Sequence, residues 1–448
     1  MIDHNFFQIS KNNQVVFFKE GPEYYQEYIN LIINSKKIIQ LQTYIFMMDE
    51  FGNKVHRELI NASKRGVSVY LLVDSVGSRL LDSKAEKALK ESGVIFIRFN
   101  QMRIKSPYSW GRRLHHKILV VDGEVSFVGG INILAASDKK FKEPQLDFAL
   151  LLKGPIVFKL VQYCQKVFQR SAHQKFSFPA LGPPSPIKGG IDVKVLVNDW
   201  VLRRWQITKQ YTHLTQKAKK EITIINSYFF PRKNFMKQLI EASKRGVKVR
   251  LVLPKFSDWP SYILASEFLY SYFLKNGIEI YLWKKSILHG KLATIDNKWA
   301  TIGSFNLNYT SYQQNLEMNI NIYSPDFAEY LNSEINEMII SGCEKLDPVK
   351  FINHCTLKKK ISRFFYYIVL ATIANLSIGI IYQEDNRNEN NKKENKHINF
   401  FRFLIALFLF FIGIIGVITP KLPGIPFLII SCLLFFRLIL TNKKKANL

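Results

Sequence analysis

Two short stretches of this sequence carry an imidazole and an ammonium group two residues apart, His115 with Lys117 and His289 with Lys291. Each pair is followed at the same distance by an aspartate, Asp122 and Asp296, in the spacing H-x-K-x4-D. Each aspartate is followed in turn by small residues and an asparagine, Gly129-Gly130-x-Asn132 in one case and Gly303-Ser304-x-Asn306 in the other. A single motif of this kind is weak evidence, but two with matched followers point to a duplicated site. Two imidazoles, two ammonium groups and two side-chain amides suit displacement at a phosphodiester. A neutral imidazole can attack phosphorus and a protonated one can donate to the leaving alkoxide, while the lysines hold the charge that grows on the nonbridging oxygens. That charge is what a divalent cation would otherwise bring, and no spaced His/Asp/Glu set reads as a metal site, so neither a metal nor another cofactor is expected. Each imidazole also needs a carboxylate to fix its tautomer. Asp147, 32 residues after His115, and Glu317, 28 after His289, lie in the apolar runs LDFALLL and LEMNINI and are the candidates, with Glu143 as the alternative to Asp147.

The elements that must position these groups are strands. Residues two apart share a face of a strand, so each His-Lys pair presents both groups to one side, and the runs ILVV and LATI carry the chain on into a sheet. Asp122 and Asp296 belong to the motif and so to the candidate catalytic set. Yet Asp122-Gly123 and Asp296-Asn297 also read as hairpin turns before return strands at Val125 to Val128 and Trp299 to Ile302, and that favours turn support over contact with substrate. The return strands bring Asn132 and Asn306 back beside the pairs. The duplication extends further: SKKIIQLQTYIF from Ser35 is echoed by AKKEITIINSYFF from Ala218, and each copy runs on to the hexapeptide ASKRGV, at Ala62 and at Ala242. Each half reads strand, helix, strand, which predicts an α/β layer fold with a largely buried sheet. Between the halves lies FPALGPPSPIKGG, a proline- and glycine-rich linker. The expected organisation is a first half at 1–177, a linker at 178–190, a second half at 191–357 and a different region at 358–448.

That last region is apolar in three stretches, Phe364 to Ile381, Phe403 to Thr419 and Ile425 to Leu440, with a polar spacer from Gln383 to Lys396. The last two carry almost no polar face and are parted by PKLPG, which predicts a membrane-inserted helical hairpin over 403–440. Basic flanks at Lys392, Lys393, Lys396 and Arg402 and at Lys443 to Lys445 place both its ends in the cytoplasm, and Phe364 to Ile381 is expected to lie along the membrane interface. The first ten residues lack the pattern of a secretory signal, so the catalytic region is expected on the cytoplasmic side. Cys164, Cys343, Cys355 and Cys432 show no CxxC spacing and read as reduced packing residues. A hydrophobic content of 47% excludes a disordered chain, and 63 Lys and Arg against 35 Asp and Glu give a net charge of +28 that attracts anionic lipid or nucleic acid. Arg103, Lys105, Tyr108, Trp110, Arg112 and Arg113 before His115, and Trp283, Lys284 and Lys285 before His289, mix basic and aromatic side chains that suit either polyanion. The membrane tail favours lipid, and no nucleic acid partner is expected.

The paired motifs resemble the phospholipase D superfamily. QVVFFKEGPEYYQEYINLI, LQTYIF, RRLHHKILVVDG, QLDFALLLKGPIV, NSYFFPRKNF, LHGKLATIDNKWATIGSFNLN and NLEMNI resemble, in order, the B type of bacterial cardiolipin synthase over roughly Asn13 to Cys343. The resemblance implies two α/β sandwich halves packed about a pseudo-twofold axis with the site between them. It implies phosphatidylglycerol as partner and a phosphatidyl-histidine intermediate, with His115 as nucleophile, His289 as general acid, glycerol released and a second phosphatidylglycerol accepting the phosphatidyl group. It further implies the bacterial inner (cytoplasmic) membrane. One departure is that many such enzymes begin with two membrane spans, whereas here the apolar segments stand at the other end. The residues leave the acceptor open among phosphatidylglycerol, glycerol, another alcohol and water, and keep a hydrolase or nuclease of the same superfamily as the alternative.

Overall fold

The computed structural model describes residues 7–101, 111–135, 141, 143–199, 201–202, 204–353 and 355–382, with the backbone alone for 373–382, and isolated positions between 405 and 434. Residues 1–377 form one compact unit and 378–448 a second.

The first half opens with β1 (Ser10–Lys19), α1 (Pro22–Ile33), β2 (Ile38–Thr43), α2 (Glu50–Lys64), β3 (Ser68–Asp74), α3 (Ser83–Glu91) and β4 (Ile95–Phe99). It continues through β5 (Arg113–Leu114), β6 (Lys117–Val121), β7 (Val125–Gly129), β8 (Phe148–Lys153) and α4 (Ile156–Ala172). The second half repeats this plan, with β9 (Ile191–Asp199), the short β10 (Arg204–Trp205), α5 (Gln206–Lys217), β11 (Glu221–Asn226), α6 (Lys233–Lys244), β12 (Lys248–Pro254), α7 (Pro260–Lys275) and β13 (Glu279–Trp283). Then come β14 (Lys291–Ile295), β15 (Trp299–Gly303), α8 (Tyr309–Gln313), β16 (Asn315–Tyr323) and α9 (Pro325–Gly342), followed by β17 (Cys343–Lys345), α10 (Pro348–Asn353) and α11 (Leu357–Tyr382).

Both halves build the same sheet. The first has the order β1-β8-β7-β6-β2-β3-β4, with β2, β3 and β4 parallel and the rest antiparallel. The second runs β9-β16-β15-β14-β11-β12-β13 with the same directions, and β17 adds an edge. β1 also pairs with β9, at Ser10 with Val193 and Asn13 with Ile191, so the two sheets are hydrogen-bonded to each other. One apolar core holds inward residues of both sheets, such as Phe148, Leu150, Met318 and Ile320, together with α4 and α9. Two further clusters lie where α1 to α3 and α5 to α7 cover the other faces. Strands buried on both faces have no polar side to show, which is why β8 reads as a nearly unbroken apolar run.

The shared hexapeptide does the same job twice. Gly66 (φ 89°) and Gly246 (φ 87°) take the left-handed conformation that ends α2 and α6. Val67 and Val247 each donate back five residues, to the carbonyls of Ala62 and Ala242 at 3.1 Å. Arg65 and Arg245 reach carbonyls at the ends of the preceding helices, Ile32 and Thr215, and Ser63 and Ser243 reach the Ser92 and Asn276 carbonyls. The expected linker has no regular structure between α4 and β9, but it is packed: just before it the Ser177 carbonyl accepts from Tyr70, and Phe178 packs tilted against that ring at 4.6 Å.

Of the tail, α11 begins as a docked helix rather than a free one. Tyr367 packs on Phe268 and Phe230 at centroid distances of 4.5 and 5.5 Å, and Arg363 pairs with Glu267 of α7 at 2.7 Å. The first turns of Phe364 to Ile381, the stretch expected to lie along the membrane interface, thus meet protein on one side. The hairpin expected over 403–440 lies almost wholly outside the described residues. At two positions within it Ser431 donates to the Ala406 carbonyl at 2.8 Å. No helix among the described residues is long and apolar enough to cross a membrane.

Candidate active site

The histidines stand where each half is tied to the other. β5 runs parallel to the start of β16, pairing Leu114 with Leu316, and a matching bridge joins Leu146 to Leu288. At these points one carbonyl accepts two successive amides. Leu316 accepts from His115 and His116, both at 3.0 Å, and Leu146 accepts from His289 and Gly290 at 2.8 and 2.9 Å. The residue after each clamping leucine is an acid, so each clamp brings a carboxylate to the imidazole of the opposite half. His115 Nδ1 lies 2.9 Å from Glu317 Oε2, and His289 Nδ1 lies 2.5 Å from Asp147 Oδ2. Counting along the chain pairs each acid with the histidine of its own half; the fold crosses them. Glu143, the alternative, is exposed and pairs with Lys285 at 3.4 Å.

An Nδ1–H that donates to a carboxylate leaves the Nε2 lone pair as the reactive atom, so both imidazoles are held in the tautomer a nucleophile or base requires. Burial lowers the pKa of His115 against the pull of Glu317. Burial and then Lys291 push His289 down to about 4, against Asp147. Burial opposes ionisation of the two acids as well, but Lys291 and His289 keep Asp147 below its ordinary value, and His115, Lys117 and Ser304 do the same for Glu317. The lysines are fully enclosed. Lys117 Nζ donates to the His115 carbonyl at 2.6 Å, and Lys291 Nζ donates to the His289 carbonyl and lies 2.9 Å from His289 Nδ1. Burial, and then repulsion from Lys291, bring Lys117 down to about 7, which puts the two ammonium groups within electrostatic reach of each other.

Of the other motif residues, Asn132 accepts from the Ile45 amide at 3.2 Å and Asn306 from Ser227 at 2.8 Å. Among the described residues neither side-chain NH₂ has a partner, so both are available as donors. Ser304 donates to Glu317 at 2.5 Å, while at the equivalent Gly130 a Cβ would collide with the Asp147 carboxylate. Asp122 and Asp296 do not serve the imidazoles. Asp122 accepts from the amides of Lys36, Lys37 and Ile38 at 2.7 to 2.9 Å, and Asp296 from those of Lys219, Lys220 and Glu221 at 2.7 to 3.0 Å. With φ of 55° and 54° they also open the hairpin turns. The catalytic reading of these two aspartates is therefore corrected: they pin β2 and β11 to the strands that carry the lysines.

Three residues went unread in the sequence. Tyr44 lies over His115 with ring centroids 5.0 Å apart, and Tyr228 lies edge-on to His289 at 6.1 Å with its hydroxyl on Asp258 at 2.6 Å. Their matched places in QTYIF and NSYFF were the available signal. Glu20 continues the β1–β8 ladder, its amide on the Asp147 carbonyl at 2.8 Å, so its side chain shares a face with Asp147. It is buried, accepts from Tyr25 at 2.9 Å, and is held well above an ordinary carboxylate pKa by burial and then by Asp147. The same place beside Glu317 is Asn198. The expected basic and aromatic surface is in part internal: Trp283 is buried with its indole N–H on Ser286, and Arg113 is buried against Asp74. Arg103, Lys105, Tyr108 and Trp110 lie outside the described residues.

Two half-sites of this kind on a duplicated α/β fold define a phosphodiester-transferring class of protein. A family profile described as "Cardiolipin synthase, PLD-like domain" matches residues 28–172 and 211–339. Cardiolipin synthase B of Escherichia coli (strain K12) is 31% identical over 346 residues, covering 75% of this chain and 83% of that protein. A cardiolipin synthase of Geobacillus kaustophilus is 30% identical over 325 residues, covering 71% of this chain and 64% of its own length. The phosphatidylserine synthase structure from Haemophilus influenzae matches the fold with a TM-score of 0.63 at 14% identity, over 81% of this chain and 94% of that one. The chain belongs to the cardiolipin synthase family of phospholipase-D-like proteins.

Proposed function

We propose that this cardiolipin synthase transfers a phosphatidyl group from one phosphatidylglycerol to another through His115. The observation that carries this reading is the crossed pair of carboxylate-bound imidazoles, each with Nε2 as its reactive atom and each beside a buried lysine. His115 Nε2 attacks phosphorus and the bond to the departing glycerol oxygen breaks, while His289, which takes up a proton at Nε2 when the phosphodiester anion enters beside it, gives that proton to the glycerol oxygen. In the return step His289 takes the proton from the hydroxyl of the second phosphatidylglycerol, whose oxygen attacks phosphorus and frees His115. Lys117, Lys291 and the amides of Asn132 and Asn306 hold the nonbridging oxygens. The assignment of His289 as the acid follows the order of the two motifs, His115 lying in the first and His289 in the second.

The reading goes with two halves at 1–177 and 191–357, a linker at 178–190 and a membrane-associated tail from 358 that includes a hairpin at 403–440. The tail holds the site against the cytoplasmic face of the inner membrane. The hydrogen bond from Ser431 to Ala406 supports the hairpin by joining its two apolar runs. The test is to incubate the purified chain with phosphatidylglycerol labelled in its phosphate. Cardiolipin and an acid-labile labelled protein are expected. His289→Ala should accumulate no product and His115→Ala no labelled protein; labelled protein in the His115→Ala chain would reverse the roles. Phosphatidic acid as the sole product would make the enzyme a hydrolase.

A further inference from the structure

A second basic cavity lies behind the His115 clamp, where α4 ends against β9 and β10. Its volume is about 140 Å³; its ionisable lining includes Arg112, Arg170, Arg204, His173 and Asp199, its neutral polar lining is Asn100, Tyr163 and Ser171, and Leu316 closes one wall. Three guanidinium groups thus face a single carboxylate. Asp199 is already committed, to Arg112 at 2.8 Å and to the Val201 amide at 3.2 Å. The floor is desolvated: Arg112 Nε and Arg204 Nη1 are buried without a hydrogen-bond partner among the described residues. The mouth is wet, since Arg170, in the last turn of α4, and His173, just beyond it with φ 56°, are exposed.

A buried N–H of a cation with no acceptor is costly, and a native fold keeps such a group where something is meant to satisfy it. Water can fill a cavity of this size but cannot neutralise it. A tetrahedral oxyanion does both, because its oxygens accept from several guanidinium forks at once. The geometry points to a phosphate-binding site formed by Arg112, Arg170, Arg204 and His173, separate from the catalytic histidines.

The site spans both halves of the chain. Arg112 leads into β5, Arg170 and His173 end the first half, and Arg204 lies on β10 of the second. The Leu316 in its wall is the residue whose carbonyl clamps His115 and His116. An anion held here ties those segments together and stiffens the clamp that presents His115 to Glu317. The ligand chemistry is that of a phosphate group, whether free phosphate, a small phosphomonoester or a lipid headgroup.

The experiment uses the full chain in neutral detergent with Lys117→Ala and Lys291→Ala, which remove the catalytic site's own cations. Binding of radiolabelled inorganic phosphate is followed by equilibrium dialysis at constant ionic strength. Saturable binding of one phosphate per chain is expected, with a rise in melting temperature. Adding Arg170→Gln with His173→Gln, both at the exposed mouth where folding is undisturbed, should weaken binding by at least about tenfold, the effect of losing a charge-assisted contact. Arg204→Lys keeps charge but not the fork and should retain part of the affinity. Glycerol phosphate and dihexanoyl phosphatidic acid, used as competitors, distinguish a free phosphomonoester from a lipid headgroup by which displaces the label. No saturable binding in the Lys117→Ala/Lys291→Ala chain, or affinity unchanged by the mouth substitutions, overturns the site.

Discussion

A carboxylate behind an imidazole sets which ring nitrogen reacts, so the crossed pairing of acids decides which substitution disables which histidine. Glu317→Gln should remove the hydrogen-bonded Nδ1–H resonance of His115 and leave that of His289, and Asp147→Asn should do the reverse. Turnover should fall by roughly 10²–10⁴-fold in either, the range for the wrong tautomer in a comparable dyad. Proton NMR of the two chains in the far-downfield region reads this directly, and loss of the His289 signal on changing Glu317 would restore the same-half pairing. The lysines set the pH dependence. Lys117 is brought down to about 7 by burial and by Lys291, so in the free enzyme its positive charge is lost as pH rises through that value. The charge is needed for the phosphodiester anion, and kcat/KM should therefore decline above about pH 7. Bound phosphate favours the ammonium form, so the decline in kcat should begin at higher pH than that in kcat/KM. In the free enzyme His289, lowered to about 4, is neutral, so the imidazolium that donates to the departing glycerol forms only when the phosphodiester anion is bound. A profile of kcat/KM that is flat from pH 6 to 9 would remove Lys117 from substrate binding.

At the scale of elements, the aspartate of each H-x-K-x4-D motif belongs to a strand and its turn rather than to the catalytic set. Each aspartate gathers three amides at the start of the antiparallel neighbour strand and so fixes the register of β6 on β2 and of β14 on β11. Asp122→Ala and Asp296→Ala should each lower stability by about 1–3 kcal/mol, the cost of stranding charge-assisted hydrogen bonds, while the folded fraction keeps most of its turnover. Urea unfolding monitored alongside activity at low denaturant separates the two effects. A large loss of kcat with an unchanged unfolding midpoint would return these residues to the chemistry. This element-scale role was legible in advance, because Asp-Gly and Asp-Asn before an apolar run are turn chemistry. So were β6, β7, β14 and β15 and the repeat that relates them, since period and turn residues are local properties. What stayed hidden depends on pairing between segments far apart in the chain. Glu20 becomes a neighbour of Asp147 only through the β1–β8 register, and Glu317 reaches His115 only because β5 runs onto β16. Trp283 likewise reads as interfacial from its basic neighbours and is buried because Gly342 of α9 leaves room for its ring.

At the scale of the whole molecule, the question is how much of the tail the catalytic body needs. The sequence places the change of character near residue 357, but the body extends past it. α11 covers the aromatic patch of Phe230 and Phe268 with Tyr367 and Phe364, and Arg363 supplies the partner of Glu267. A chain ending after residue 356 would expose that patch and leave Glu267 unpaired, so it should melt several degrees lower and aggregate, given that aromatic pairs of this kind are each worth about 0.5–1.5 kcal/mol. A chain ending after Tyr382 keeps the docked helix and loses only the apolar runs beyond it. If the tail anchors the chain as proposed, that chain should leave the membrane pellet, melt with the full-length protein and still make cardiolipin from detergent-dispersed phosphatidylglycerol, while losing activity on vesicles. Sedimentation, thermal melting and the two assays on the same pair of truncations distinguish anchoring from catalysis. A chain ending after Tyr382 that melts normally yet makes no product in detergent would mean that residues 383–448 complete the lipid site itself.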